Sequence, residues 1–345
     1  MESLLMIFVA AMAFSYILTP FVIKIAHKLG AIDVPKDNRR VHSEPIPRLG
    51  GIAIFLGFLI SALFFIPINK EVLGIFLASL IIVSMGVIDD TITLGAKTKL
   101  FVQIFCAILV TFFGVKIEFI TNPFDSSTGM LYLGILSLPI TVFWIVGITN
   151  TVNLIDGLDG LAAGVSAISA ITLAFISYLN GEIMPAMLLV ALAGGAVGFL
   201  PFNFNPAKIF MGDTGSLFLG FTLAVVSIEG AIKSAATLAI VVPVLALGIP
   251  IFDTTFAIIR RANAGKPIME ADKGHLHHRL LDRGLSQKQT VVSLYSMSFI
   301  LGVSAIFIAE SPLNTAIMIL GFVVILITIG VFRLKILSHE TGGTK

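Results

Sequence analysis

Chemistry-bearing side chains gather at four places in an otherwise apolar chain. In Thr149-Asn-Thr-Val-Asn-Leu-Ile-Asp-Gly-Leu-Asp-Gly160, the residues Asn153, Asp156 and Asp159 recur at every third position. Any helical turn there brings neighbouring pairs together, and Gly157 and Gly160 let the backbone approach a ligand closely. Asp89 and Asp90 end an apolar run, where the helix dipole already disfavours negative charge and calls for a compensating cation, with Lys97 and Lys99 near in sequence. Two close carboxylates can hold Mg²⁺, or leave one proton-bound for proton transfer. The stretch Phe202-Asn-Phe-Asn-Pro-Ala-Lys-Ile-Phe-Met-Gly-Asp-Thr-Gly-Ser216 leads into another apolar run. There Asp213 is either a plain helix cap or, beside Gly212, part of a helix start that takes a metal-bound phosphate. His275, His277, His278 and Arg279 fall within five residues. Zinc would need a further ligand from elsewhere, whereas imidazoles with an arginine suit the oxygens of a pyrophosphate. Acids for a hard cation and a His/Arg loop for phosphates together describe phosphoryl transfer.

The elements that must position these residues are membrane helices. The chain has 345 residues, 57% hydrophobic and only 12% charged, with a mean hydropathy of +1.03. Soluble domains carry about a quarter charged residues, so too little polar surface exists here to cover a water-soluble core. A net charge of +2 excludes the concentrated basic surface of a nucleic-acid binder. The single Cys106 excludes an intrachain disulfide framework.

Apolar stretches long enough to cross roughly 30 Å of hydrocarbon recur from end to end. Eleven are expected, over 4–23, 50–68, 72–88, 100–117, 131–148, 161–179, 183–200, 215–229, 235–258, 290–309 and 313–332. The first lacks a basic leader region and is read as a membrane helix rather than a signal peptide. With the N-terminus outside and the C-terminus in the cytosol, all but Lys70, Lys116 and Lys233 of the 22 basic residues lie on the cytosolic side. The fold class is therefore all-α, one polytopic helical bundle spanning 1–345. The site is expected on the inner loops, about 24–49, 89–99, 149–160, 201–214 and 259–289. Asp253, inside the ninth stretch, must face protein or water, and Arg260 is its nearest candidate partner in sequence.

Taken in order and spacing, Asp89-Asp90, the Asn150–Gly160 run, Asn205–Ser216 and His275-Leu-His-His-Arg-Leu280 resemble the polyprenyl-phosphate N-acetylhexosamine-1-phosphate transferases over nearly the whole chain. The resemblance implies transfer of a sugar 1-phosphate from a UDP-N-acetylhexosamine to undecaprenyl phosphate with release of UMP. It places the protein in the bacterial cytoplasmic membrane with its site facing the cytosol. By motif position, Asp89, Asp90 and Asp213 are the implied catalytic acids. Asp213 and Asn153 are implied ligands of Mg²⁺, with Mn²⁺ as the alternative. Asp156, Asp159, His275, His277, His278, Arg279, Asn205 and Arg48 are implied substrate contacts, Arg48 belonging with Arg40, His42 and Gly50-Gly51 to a first-loop motif. The resemblance also suggests a homodimer.

The His-Leu-His-His form resembles the enzymes that take a simple sugar, so UDP-N-acetylglucosamine is the expected donor and an envelope glycan such as a teichoic acid or O-antigen the expected destination. The phospho-N-acetylmuramoyl-pentapeptide transferases are the alternative within the family. Direct attack by the lipid phosphate and a covalent aspartyl-phosphate both remain open. A transporter is the rival of a different class, and it would spread acids along a path through the bilayer instead of collecting them on one face.

Overall fold

The computed structural model describes residues 2–34, 45–121, 130–232, 238–265 and 274–334. Arg40 and His42 lie outside these residues. The described chain is helical almost throughout: α1 (Glu2–Leu29), α2 (Gly51–Phe65), α3 (Lys70–Ile92), α4 (Ala96–Phe112), α5 (Ser137–Leu154), α6 (Leu161–Leu179), α7 (Ile183–Asn203), α8 (Gly212–Ser227), α9 (Val241–Ala246), α10 (Gly248–Asn263), α11 (Leu276–Asp282), α12 (Gln287–Glu310) and α13 (Leu313–Arg333). Two short antiparallel hairpins, β1 (Ile32–Asp33) with β2 (Ile46–Pro47) and β3 (Phe119–Thr121) with β4 (Met130–Tyr132), decorate the loops.

Among the described residues eight helical segments are long and apolar enough to cross a membrane, and the chain is a multi-pass membrane protein. The second and fourth expected spans form shorter helices of 15 and 17 residues. Elsewhere the lipid-facing and core-facing sides of the bundle are both apolar, as expected where the surrounding solvent is hydrocarbon. On α13 only Ala316 and Val323 are buried, whereas every residue of α8 from Thr214 to Ser227 is buried. Helix α8 is the axis of the bundle, packed against α2, α3 and α5. Because α3 and α5 end where α8 begins, their polar termini meet.

The close fit of α3 on α8 depends on Gly86. A Cβ there would lie 2.4 Å from the Thr214 Cα, a backbone atom with nowhere to go. Small residues at such crossings let membrane helices approach within backbone distance. Gly86→Ala is expected to push α3 from α8 at a cost of about 1–3 kcal/mol, and thermal unfolding of the detergent-solubilised protein measures it.

The ninth expected span is corrected. It is not one helix: α9 and α10 are separated at Leu247. Pro250 has no N–H to return to the carbonyl of Ala246, and the Ser169 hydroxyl donates to that carbonyl instead at 2.6 Å. The break sets α10 on a new course and brings Asp253 beside the segment that opens α11.

Candidate active site

Adjacent residues at the end of α3 point to different partners, since each step along a helix turns about 100°. Asp90 reaches the start of α8. Its Oδ1 accepts from the Asp213 amide at 3.0 Å, and its Oδ2 accepts from the Thr214 amide at 3.0 Å and the Thr214 hydroxyl at 2.7 Å. Arg48 Nη2 completes the shell, 3.3 Å from Oδ1, and the Asp90 side chain is fully buried. This carboxylate caps α8 from a neighbouring helix, satisfying amides that have no partner within α8 itself. The helix start that the sequence marks as a phosphate site is thus held by a protein carboxylate, and Asp213 does not cap its own helix. Gly212 makes the approach feasible: its φ is +68°, and a Cβ would sit 2.1 Å from the Arg48 carbonyl oxygen and 2.3 Å from Asp90 Oδ2.

Asp89 faces the other way. Its Oδ1 accepts from the Leu94 amide at 2.6 Å, closing the tight turn into α4. That turn brings back Lys99, whose ammonium donates to Asp89 Oδ2 at 3.2 Å and to Asp213 Oδ2 at 2.8 Å. Two carboxylates from different helices therefore share one cation. The Asp89 side chain is 5% exposed and that of Asp213 21%. On the other side of Asp213, Asn153 Nδ2 donates to Oδ1 at 3.2 Å and to the Ser216 hydroxyl at 2.8 Å. Lys99 is a site residue that the sequence marks only as a nearby compensating charge.

The turn 155–160 between α5 and α6 holds the remaining acids. Asp159 Oδ2 accepts from Asn205 Nδ2 at 2.9 Å and from the Ala207 amide at 3.1 Å, and Asn205 also donates to Gln287 Oε1 at 2.7 Å. Asp156 lines the same cavity. Burial first, then the charges of Asp213, Asp90 and Asp159, push its carboxyl up to about 8. Gly157 lines the cavity as well, and both glycines also meet packing needs of the protein. The ring of His277 packs over Gly157, where a Cβ would lie 2.6 Å from Nε2, and Gly160 takes a left-handed φ of +79°.

The three histidines form a row. His275 and His277 stack with centroids 5.8 Å apart, and His277 meets His278 at 4.2 Å. Burial first, then the neighbouring His278, lower His277 to about 3, so it stays neutral near pH 7. His275 Nδ1 lies 2.8 Å from Asp253 Oδ2, and the Leu276 amide donates to Oδ1 at 2.7 Å. Both Asp253 oxygens are thus engaged by the start of α11. Arg279 Nε donates to the Gly274 carbonyl at 3.1 Å.

These groups edge a cavity of about 820 Å³. Of the residues marked by the sequence, Arg48, Asn153, Asp156, Asp159, Asn205, Asp213 and His278 line it. Asp89 and Asp90 stand behind Asp213, and His275 and His277 stand behind His278. Asp33, Phe210, Lys208 and Gln287 also line the cavity and were not singled out. Phe210 and Lys208 lie inside the Asn205–Ser216 motif, so an aromatic and a base among its polar residues were the available signal. Asp33 and Gln287 carry no sequence signal.

No three His, Cys, Asp or Glu side chains converge into a metal cage among the described residues. The donor set nevertheless fits a hard cation. Asp213 and Asp89 already converge on the Lys99 ammonium, and Mg²⁺ ordinarily takes one or two protein carboxylates, completing its shell with water and substrate phosphates.

A helical bundle in lipid with acids, amides and imidazoles around one polar cavity defines a polytopic membrane enzyme. Residues 72–231 match the family model described as glycosyl transferase family 4. A probable undecaprenyl-phosphate N-acetylglucosaminyl 1-phosphate transferase of Bacillus subtilis is 42% identical over 336 residues, 97% of this chain and 91% of that protein. A decaprenyl-phosphate N-acetylglucosaminephosphotransferase of Mycobacterium tuberculosis is 34% identical over 94% of this chain and 87% of its own length. A phospho-N-acetylmuramoyl-pentapeptide-transferase of Wolbachia sp. subsp. Drosophila simulans is 31% identical over 87% of this chain and 97% of its own. The chain belongs to glycosyl transferase family 4.

Proposed function

We propose that the protein transfers N-acetylglucosamine 1-phosphate from UDP-N-acetylglucosamine to undecaprenyl phosphate, releasing UMP and starting a lipid-linked envelope glycan. The observation that carries this reading is the Asp89–Lys99–Asp213 bridge at the edge of a polar cavity in a membrane bundle. The names of the relatives at 42% and 34% identity support the sugar and the polyprenyl acceptor. The basic residues that favour one side of the bundle support a cytosolic cavity mouth and a cytoplasmic-membrane location.

In this reading Asp213 and Asn153 would hold Mg²⁺, with Asp89 holding Lys99 beside them. When bound, the cation neutralises the donor pyrophosphate, which would otherwise repel an anionic acceptor. An oxygen of the lipid phosphate forms a bond to the sugar-bearing β-phosphorus. The bond from that phosphorus to the bridging oxygen breaks, and its electron pair leaves with UMP. Lipid phosphate is ionised near neutral pH, so no base is required. Asp89, nearly enclosed with both oxygens engaged, is placed to hold Lys99 rather than to attack phosphorus, which favours direct displacement over an aspartyl-phosphate. Lys99, Arg48 and His278 meet phosphate oxygens, and Phe210 offers a face for the base to stack on. Asp159, held by Asn205 and the Ala207 amide, stiffens the nucleotide side of the cavity.

The sugar and its acceptor are tested by following label. With UDP-N-acetylglucosamine labelled in the sugar, radioactivity should pass into the organic extract only when undecaprenyl phosphate is present. Transfer from UDP-N-acetylmuramoyl-pentapeptide alone would keep the chemistry and replace the donor.

The raised Asp156 gives a pH dependence. Between pH 4 and about 8 the folded protein keeps a proton on Asp156 that the unfolded chain has released, so stability falls as pH rises through this window. A divalent cation bound beside the acids favours the ionised form and releases that proton. Thermal stabilisation by Mg²⁺ is therefore expected to grow from pH 6 to pH 9. Equal stabilisation at both values would remove Asp156 from the cation's surroundings.

A further inference from the structure

One more carboxylate is enclosed away from the acid cluster. Asp253 on α10 is 7% exposed and borders a small apolar cavity of about 200 Å³ with Phe252, Phe256, Met297 and Leu326. A carboxylate in such a setting is costly unless its oxygens are engaged. Those of Asp253 are divided between the His275 ring and the first amide of α11. From His275 the contacts continue outward: His275 stacks on His277 with planes 6° apart, His277 packs on His278, and His278 lines the large cavity. His277 also covers Gly157, within the turn that carries Asp156 and Asp159. Two parts of the cavity wall are thereby tied to one buried carboxylate.

We propose that Asp253 is a positioning residue of this site, which fixes the ring orientation and tautomer of His275 and, with the Leu276 amide, the start of α11, so that His278 and the acid-bearing turn are held in register. It touches no substrate. With its Nδ1–H donated to Asp253, the His275 ring is locked in one orientation and offers its stacking face to His277. The effect on turnover rests on the transferase reading above; the effect on His275 does not.

The decisive variant is Asp253→Asn. It keeps the volume and one oxygen for the Leu276 amide, but sets an amide N–H₂ against His275 Nδ1, so the imidazole must turn or change tautomer. Nitrogen NMR of histidine-labelled protein in nanodiscs should show a protonated Nδ1 at His275 in the wild type and its loss in Asp253→Asn. Steady-state kinetics should show kcat/KM for the sugar donor reduced about tenfold or more, carried mainly by KM, because groups that meet the pyrophosphate are misplaced rather than removed.

His275→Asn can return an amide N–H to the position of Nδ1 and should be several-fold more active than His275→Gln, which cannot. This pair decides the matter if Asp253→Asn fails to fold. Unchanged KM and kcat in Asp253→Asn, equal activity of the two His275 variants, or an unaltered His275 signal in Asp253→Asn would each overturn the proposal. An inactive wild type with the expected His275 signals would overturn the transferase reading and leave the Asp253 contact standing.

Discussion

Asp213→Ala should lower the rate of UMP release by a factor on the order of 10³, with the protein still folded. The side chain is partly exposed, and its partners remain supported without it. Lys99 keeps Asp89 at 3.2 Å, and Asn153 keeps Ser216 at 2.8 Å. The amide of residue 213 still donates to Asp90, because that bond belongs to the backbone. What disappears is the more accessible of the two carboxylates that converge on one cation, and with it the tighter contact to Lys99. Thermal stabilisation by Mg²⁺ should disappear in the same variant. Retention of both turnover and Mg²⁺ stabilisation would remove Asp213 from the cation site.

Asp90→Ala should behave in the opposite manner and cost the fold itself. The substitution orphans two amides and a hydroxyl at the start of the most enclosed helix, and leaves Arg48 without one of its two carboxylate partners among the described residues, the other being Asp33 at 3.6 Å. Leaving a buried donor without its acceptor costs about 1–3 kcal/mol, and several such losses are a large share of a typical total stability. Asp90→Asn, which keeps one oxygen for the α8 amides, should lose less. Gly212→Ala attacks the same contact from the other side and should be comparably harmful, since its backbone has a positive φ and the space for a methyl is already filled. Thermal unfolding in detergent ranks the variants. Asp89→Ala should be clearly more stable than Asp90→Ala, and a reversed order would contradict the separate uses assigned to the two acids.

The sequence made legible which residues would meet, and much less how they divide the labour. Asp213, Asn153, Asp159 and Asn205 come together because each lies in a polar island at the end of an apolar run, and one end of a bundle collects such islands. Asp89 and Asp90 could not be told apart, because a single step along α3 separates the cap of α8 from the cation bridge, and no local pattern records which face of α3 meets α8. Lys99 was visible only as a charge near two acids. Its role depends on a turn at residues 93–95 that is closed by Asp89 itself. The ninth span was expected from apolar length alone; Pro243 and Pro250 lie within it, and the Ser169 hydroxyl that stabilises the break is far away in sequence. The same break places Asp253 beside His275, a partner that the sequence around Asp253, Arg260 included, does not announce.

The most direct test of phosphoryl transfer at the Asp89–Lys99–Asp213 bridge is UMP release by purified protein in detergent, given UDP-N-acetylglucosamine and undecaprenyl phosphate, with Mg²⁺ present or chelated. Release that requires donor, lipid phosphate and Mg²⁺ together, and that is lost in Asp213→Ala, is the expected result. UMP release that persists under chelation, or that continues at full rate without the lipid phosphate, would contradict it.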